Sequence, residues 1–177
     1  CVELLQKGHE VLVFDNLSNS YPIVLDRLRE ITNRSIQFVE GDIRDYASLS
    51  KAMQEFLPEA VIHFAGLKAV DESIIDPLQY YDVNVSGSLE LLRAMEDNSC
   101  GLLIFSSSAT VYGVPKFLPC DECHPTAPIN PYGKSKLMVE QILKDWVNAR
   151  ASNVAVCLRY FNPVGAHPSA KIGELPN

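Results

Sequence analysis

Short apolar runs alternate along the chain with longer amphipathic stretches, the pattern of a parallel sheet covered by helices. The runs Val11 to Phe14, Ile36 to Val39, Ala60 to Phe64, Leu102 to Phe105 and Val154 to Leu158 predict strands. The stretches Val2 to Gln6, Ile23 to Glu30, Tyr46 to Phe56, Leu78 to Met95 and Tyr132 to Arg150 predict helices. In the fourth helix Leu89, Leu92 and Met95 recur at helical spacing. In the last, Asn130 is a good N-cap and Pro131 fits the first helical position, ahead of Leu137, Val139, Ile142, Leu143 and Trp146. The fold class is α/β, a doubly wound parallel sheet. No repeat or low-complexity tract interrupts it.

At the amino end, Cys1 to Gln6 reads as the tail of a helix with Gly8 as its C-cap, so Val11 to Phe14 takes the place of the second strand of a dinucleotide-binding unit. A first strand and a Gly-rich phosphate turn are then expected to be missing. The nine glycines come no closer together than Gly165 and Gly173, and the chain stops after Lys171 to Asn177 without a finishing element. The expectation is a fragment, incomplete at both ends.

Candidate chemistry gathers at the carboxyl ends of the predicted strands, where open parallel sheets bind ligands. Asp15 ends its strand where a carboxylate accepts hydrogen bonds from adenosine ribose hydroxyls and repels a 2′-phosphate, which favours NAD over NADP. An aspartate after a strand is also an ordinary cap or turn residue. Asp42, after the next strand, stands in the analogous place for the adenine amino group, and Phe64-Ala65-Gly66 offers small residues that let backbone approach a ligand. Ser106 to Ser108 and Thr110 follow the run Leu102 to Phe105. Tyr132 and Lys136 then share one helix face, four residues apart. A phenol with an ordinary pKa of about 10 is a poor base at neutral pH, but a nearby ammonium favours the phenolate, which makes a usable acid/base. The same spacing also occurs on surface helices by chance.

Composition narrows the partners. In 177 residues, 15 basic against 22 acidic side chains give a net charge of −7 and no basic cluster, which argues against nucleic acid or an anionic membrane. No apolar run approaches the roughly 18 residues of a membrane span, and no signal peptide is visible, so a cytoplasmic location is expected. The odd set Cys1, Cys100, Cys120, Cys123 and Cys157 fits reduced thiols. Cys120-Asp121-Glu122-Cys123-His124 matches the pattern for c-type haem attachment, and a Cys pair at this spacing also suits zinc or redox work. A structural zinc needs four ligands, however, and no second pair exists, so no metal is expected. Three Asn-x-Ser matches, at Asn16, Asn33 and Asn84, carry no meaning for a cytoplasmic chain.

Tyr132-x-x-x-Lys136 with its upstream serines resembles the extended short-chain dehydrogenase/reductase superfamily, and several segments are similar specifically to its UDP-glucose 4-epimerase family. They are Val61 to Val70, Ile104 to Gly113, Pro131 to Leu143, and Leu158 to Pro168. The resemblance covers essentially the whole chain. It implies that residues 1–177 are a Rossmann-type NAD-binding domain carrying the Tyr/Lys pair, without the Gly-rich turn or the carboxyl-terminal substrate domain. It implies NAD as cofactor, UDP-glucose and UDP-galactose as substrates, epimerisation at C4 through a 4-keto sugar in galactose metabolism, and a homodimeric parent. The fragment by itself is not expected to be active.

By the same likeness, Tyr132 is the acid/base, Lys136 binds the nicotinamide ribose and favours the phenolate, and Ser108 bridges the substrate 4-hydroxyl and Tyr132. The NAD site is implied to comprise Asp15, Asn16, Asn19, Ser20, Asp42, Ile43, Phe64, Ala65, Gly66, Lys68, Asn84 and Phe161. Asn162 is implied to contact the UDP-sugar phosphate. Phe64 and Phe161 can also be read as plain core and Asn162 as a turn residue. Glu72 and Ser73 are left unassigned. Two rival functions use the same fold. A nucleotide-sugar 4,6-dehydratase normally carries Asp-Glu where this chain has Val111-Tyr112 after Thr110. A nonenzymatic NAD-binding protein is expected to lose Tyr132, Lys136 or Ser108, and all three are present.

Overall fold

The computed structural model describes residues 1–173. Contacts divide the chain into two compact units, Cys1–Asp42 with the segment from Asn162, and Ile43–Phe161.

In the first unit, α1 (Val2–Gln6) leads to β1 (Leu12–Asp15), α2 (Ile23–Thr32) and β2 (Gln37–Glu40). The end of α1 is a Schellman cap: Gly8 takes a φ of 89°, its N–H donates to the Leu5 carbonyl, and the His9 N–H reaches back to Leu4. Gly8 thus follows the capping residue, Lys7, by one position. β1 and β2 pair in parallel, Leu12 opposite Gln37 through Asp15 opposite Glu40. Val2 and Leu5 of α1, Leu28 of α2 and Ile36 form the buried centre of this unit, with Val11, Val13, Leu25 and Ile31 around it.

The second unit contains α3 (Tyr46–Phe56), β3 (Val61–His63), α4 (Val70–Ile75), α5 (Pro77–Tyr81), α6 (Gly87–Asp97), β4 (Leu102–Ser108), α7 (Pro131–Ala149) and β5 (Val154–Tyr160). Its sheet has the order β3-β4-β5, again all parallel, with Leu103 opposite both Val61 and Ala155. Every strand pairing among the described residues is therefore parallel, as the alternating pattern requires. The pairs fall into two sheets, β1-β2 and β3-β4-β5. Leu91, Leu92, Ala94 and Met95 of α6, Leu103 and Phe105 of β4, and Val139 and Leu143 of α7 are buried.

Several elements differ from the sequence reading: α4 is not among the predicted helices, and β5 runs on to Tyr160 rather than stopping at Leu158. The helix expected over Leu78 to Met95 is two helices, α5 and α6, joined through a π-helical stretch, Asp82–Ser86, whose wider turn periodicity does not register. The strand expected to stop at Phe105 continues to Ser108, so the serines lie in β4 and alternate their side chains across it. The strand expected from Ala60 to Phe64 is only Val61–His63. Among the described residues, no helix is long and apolar enough to cross a membrane.

Candidate active site

Helix α7 carries the Tyr/Lys pair, and its first turn is fixed twice over. Asn130 caps it by accepting the Gly133 N–H at 2.8 Å, and Pro131 occupies the first helical position. Gly133 is buried, and a Cβ there would come within 2.9 Å of the Thr110 carbonyl and 3.0 Å of Pro128. The residue after Tyr132 must therefore be bare for α7 to lie against the turn that follows β4. Nothing in the hydrophobic pattern marked Gly133 for this role.

That turn is a 3-10 stretch, Ala109–Tyr112, capped by Ser108. The Ser108 hydroxyl oxygen accepts from the Thr110 N–H at 3.2 Å and from the Thr110 hydroxyl at 2.9 Å. Both acceptor positions are thereby used, and the hydroxyl hydrogen is the remaining group Ser108 can offer. Val111 and Tyr112, which follow Thr110, are buried at 0% and 5% exposure.

Lys136 is buried, with Nζ 5.0 Å from the Phe105 ring centroid and 5.9 Å from the Tyr132 ring centroid. Burial lowers its pKa from the ordinary 10.5 to about 8. The ammonium therefore still predominates at neutral pH beside two aromatic rings. His63, whose ring lies 5.4 Å from Phe105, is pushed down to about 3 by burial and then by the Lys136 charge, so it is neutral. Behind Tyr132, the Tyr80 ring meets it edge-on at 6.5 Å. The buried Tyr80 hydroxyl lies 2.7 Å from the Ala69 carbonyl and 2.6 Å from Glu72, and burial raises its pKa well above the ordinary value. Glu72 and Ser73, unassigned from sequence, serve as internal anchors: the Ser73 hydroxyl donates to the Val70 carbonyl.

Asn84 sits in the π stretch and is 3% exposed. Its side-chain oxygen accepts the Leu67 N–H at 2.8 Å, while its amide nitrogen donates to the Leu67 carbonyl and to the Ser135 hydroxyl, each at 3.0 Å. Ser135 donates in turn to the Tyr132 carbonyl at 2.7 Å. The Ser88 hydroxyl donates to the Asn84 carbonyl and lies 2.8 Å from His63 Nε2, which assigns the ring hydrogen to Nε2. Asn84 thus ties the loop after β3 to the first turns of α7. Sequence reasoning found Asn84 but not Ser135, Ser88 or His63, whose partners lie far away along the chain.

Gly66 belongs to the same cluster. It has a φ of 147°, and a Cβ on it would stand 2.8 Å from Asn84 Oδ1 and 3.6 Å from Lys136 Nζ. Backbone with no side chain is thereby held next to the buried ammonium. Its neighbours Phe64, Ala65 and Lys68 are not buried, nor are Phe161 and Asn162. Phe64 is 63% and Phe161 62% exposed, so neither is core, and the alternative reading of both as core is corrected. Ile43, by contrast, is buried against Gly87 at the start of α6.

In the first unit, Asp15 Oδ1 accepts the Leu17 N–H at 2.7 Å and the Ser20 hydroxyl at 2.9 Å. Both bonds fall on one oxygen, which leaves Oδ2 for a ligand. Asn16 donates to Asp42 at 3.3 Å, so the loops that follow β1 and β2 meet, and Asn19 lies exposed in the first of them. An acidic pair of strand ends joined this way suits an adenosine's hydroxyls and amino group. Taken within this unit, the residues present fit the adenosine end of NAD.

The Cys120 to His124 segment has a different use. The buried His124 ring accepts the Lys116 N–H at Nε2 and donates from Nδ1 to the Pro125 carbonyl, so both nitrogens are occupied. It packs 4.5 Å from Phe117 and 5.3 Å from Tyr112. All five cysteines are free, and no group of three or more metal-ligating side chains occurs among the described residues.

A family model for the NAD dependent epimerase/dehydratase family matches residues 1–175. UDP-glucose 4-epimerase of Bacillus subtilis (strain 168) is 51% identical over 177 residues, covering 100% of this chain and 52% of that protein. A UDP-glucose 4-epimerase from Stenotrophomonas maltophila, solved with bound NAD and formylated UDP-arabinopyranose, superposes with a TM-score of 0.97 at 51% identity over 100% of this chain and 53% of its own. The Bifidobacterium longum enzyme, in complex with NAD+ and UDP, gives a TM-score of 0.96 at 50% identity over 98% and 52%. The chain spans about half the length of the curated relatives it matches.

Proposed function

The chain belongs to the NAD dependent epimerase/dehydratase family, and we propose that the whole protein interconverts UDP-glucose and UDP-galactose by inversion at C4. Tyr132, as phenolate, takes the proton of the sugar 4-hydroxyl and returns it once the 4-keto sugar has turned over. The buried Lys136 ammonium stands beside Tyr132, with Nζ 5.9 Å from the Tyr132 ring centroid. Ser108 donates its hydroxyl hydrogen toward the reacting oxygen and orients it. NAD, when bound, supplies the hydride acceptor and donor at C4. Asp15, Asn16, Asn19, Ser20 and Asp42 are assigned to the adenosine portion of the cofactor, and Ile43, Phe64, Ala65, Gly66, Lys68, Asn84, Lys136 and Phe161 are assigned to NAD by the family likeness. Asn162 contacts the UDP-sugar phosphate. The cytoplasmic setting is in keeping with five free cysteines, and the homodimer rests on the family likeness.

The observation that carries this reading is the approach of Gly133 to the Thr110 carbonyl, which brings the start of the Tyr/Lys helix against the turn capped by Ser108. The 4,6-dehydratase alternative needs an acid and a base after Thr110. The side chains there are Val111 and Tyr112, both interior. The whole protein, incubated with UDP-galactose and assayed by separation of the UDP-sugars, is expected to yield UDP-glucose with no net change in NAD. A 4-keto-6-deoxy product, or no turnover with NAD verified as bound, overturns the proposal.

A further inference from the structure

Glu140 stands two turns along α7 from Tyr132, on the face that also carries Lys136. Its side chain is 9% exposed. One oxygen accepts both the Ser107 hydroxyl at 2.5 Å and Arg159 Nε at 3.0 Å; the other accepts Arg159 Nη2 at 2.7 Å. A single carboxylate on the Tyr/Lys helix therefore grips β4 through the residue before Ser108, and β5 through Arg159. The arrangement closes on itself, because the Arg159 guanidinium lies over the Tyr112 ring at 4.9 Å, and Tyr112 ends the 3-10 turn that Ser108 caps. Arg159 has its pKa raised first by the Glu140 hydrogen bond, as expected of a paired and partly buried fork.

We propose that Glu140 is a positioning residue for proton transfer: through Ser107 on one side and Arg159 and Tyr112 on the other, it fixes Ser108 relative to Tyr132. The inference rests on the epimerase reading above. The physical argument is one of constraint. β4 and α7 otherwise meet near the site through apolar packing and the Gly133 approach, which limit separation but let the two elements slide. A bidentate carboxylate–guanidinium pair plus a hydroxyl donor fixes distance and direction together. Displacement of an acid/base group by an ångström is enough to slow a positioned reaction greatly.

The test uses the whole protein with NAD bound and the variants Glu140→Gln, Ser107→Ala and the double variant. Glu140→Gln keeps the volume and is expected to lower kcat on the order of 10- to 100-fold, with KM for UDP-galactose within about twofold. Ser107→Ala is expected to lower kcat less, and its effect to shrink when Glu140→Gln is already present, because both changes cut one link. Amide hydrogen exchange is read in parallel, and it should quicken at residues 106–112 in Glu140→Gln while α3 and α6 keep wild-type rates. A Glu140→Gln enzyme within twofold of wild-type kcat overturns the inference, as does exchange that quickens uniformly through the second unit. If the wild-type protein does not epimerise at all, the epimerase reading falls. The exchange pattern then decides by itself whether Glu140 positions the Ser108 turn.

Discussion

At the scale of single residues, the proposed proton chemistry rests on three side chains: Tyr132 and Lys136, one helical turn apart, which their spacing brings forward as candidates, and Ser108 at the end of a strand, whose role the family resemblance implies. Tyr132→Phe removes only a hydroxyl, so sugar and cofactor binding should persist while proton transfer fails. General acid/base residues contribute about 10²- to 10⁴-fold, and a fall of that size in kcat with little change in KM is expected from steady-state assay of the whole protein. Retention of more than about a tenth of wild-type turnover would mean that another group is the base. What could not be read at this scale is the set of side chains that hold these three. Ser135 and Glu140 sit at unremarkable positions in an amphipathic helix, and their meaning comes from Asn84, Ser107 and Arg159, which are distant in sequence. Pattern reading registers a residue's own periodicity and not its partner. The same gap explains the haem-like Cys120 to His124 match, where the ring nitrogens proved to be spent on local backbone groups.

At the scale of elements, the alternation of apolar runs and amphipathic stretches identified every parallel strand among the described residues and most helices, because parallel strands are built from short runs of Val, Ile, Leu and Phe that stand out from the amphipathic stretches between them. Element boundaries followed less well where polar residues had reasons to be inside. Ser106, Ser107 and Ser108 continue β4 with backbone pairing to Leu158, Arg159 and Tyr160, although their hydroxyls ended the apolar run. The π stretch was invisible for a related reason. It shifts the phase of the helix within one turn, releases the Asn84 carbonyl to the Ser88 hydroxyl, and aims the Asn84 amide at Leu67 and Ser135. The contact between α7 and the 3-10 turn gives this scale its prediction. Gly133→Ala would press a Cβ onto the Thr110 carbonyl, and since alanine otherwise favours helix, any loss measures the clash. Overpacking of this kind costs typically about 1 to 3 kcal/mol, to be read from the denaturant midpoint. Turnover should fall on the order of tenfold or more, because the shift separates Tyr132 from Ser108. An alanine variant with wild-type midpoint and wild-type kcat would show that the approach is not needed.

At the scale of the whole molecule, stability and activity pull in opposite directions at Lys136. Burial drops its pKa from 10.5 to about 8. Between these values the unfolded chain binds a proton that the folded chain does not, so stability from this group rises with pH across that window. Below about 8 both states hold the proton and the full cost of burying the ammonium is present. At about 1.4 kcal/mol for each tenfold change in proton affinity, that cost is a few kcal/mol at most. His63 behaves the same way in a more acid window. It is folded in the neutral form, with its pKa lowered from 6.5 to about 3, so its contribution is intact above 6.5 and is lost as pH falls through that interval. Lys136→Met retains a long apolar side chain beside Phe105 and removes the charge. In the whole protein this variant should be nearly inactive, yet melt several degrees higher than wild type at pH 7. The gain should shrink as pH rises from about 8 to 10.5, while His63, common to both proteins, cancels from the comparison. Paired thermal melts at pH 7, 9 and 10.5 check the sign. A variant that melts lower than wild type at pH 7 would show that the ammonium is stabilised in the fold, and the depressed pKa would then be wrong.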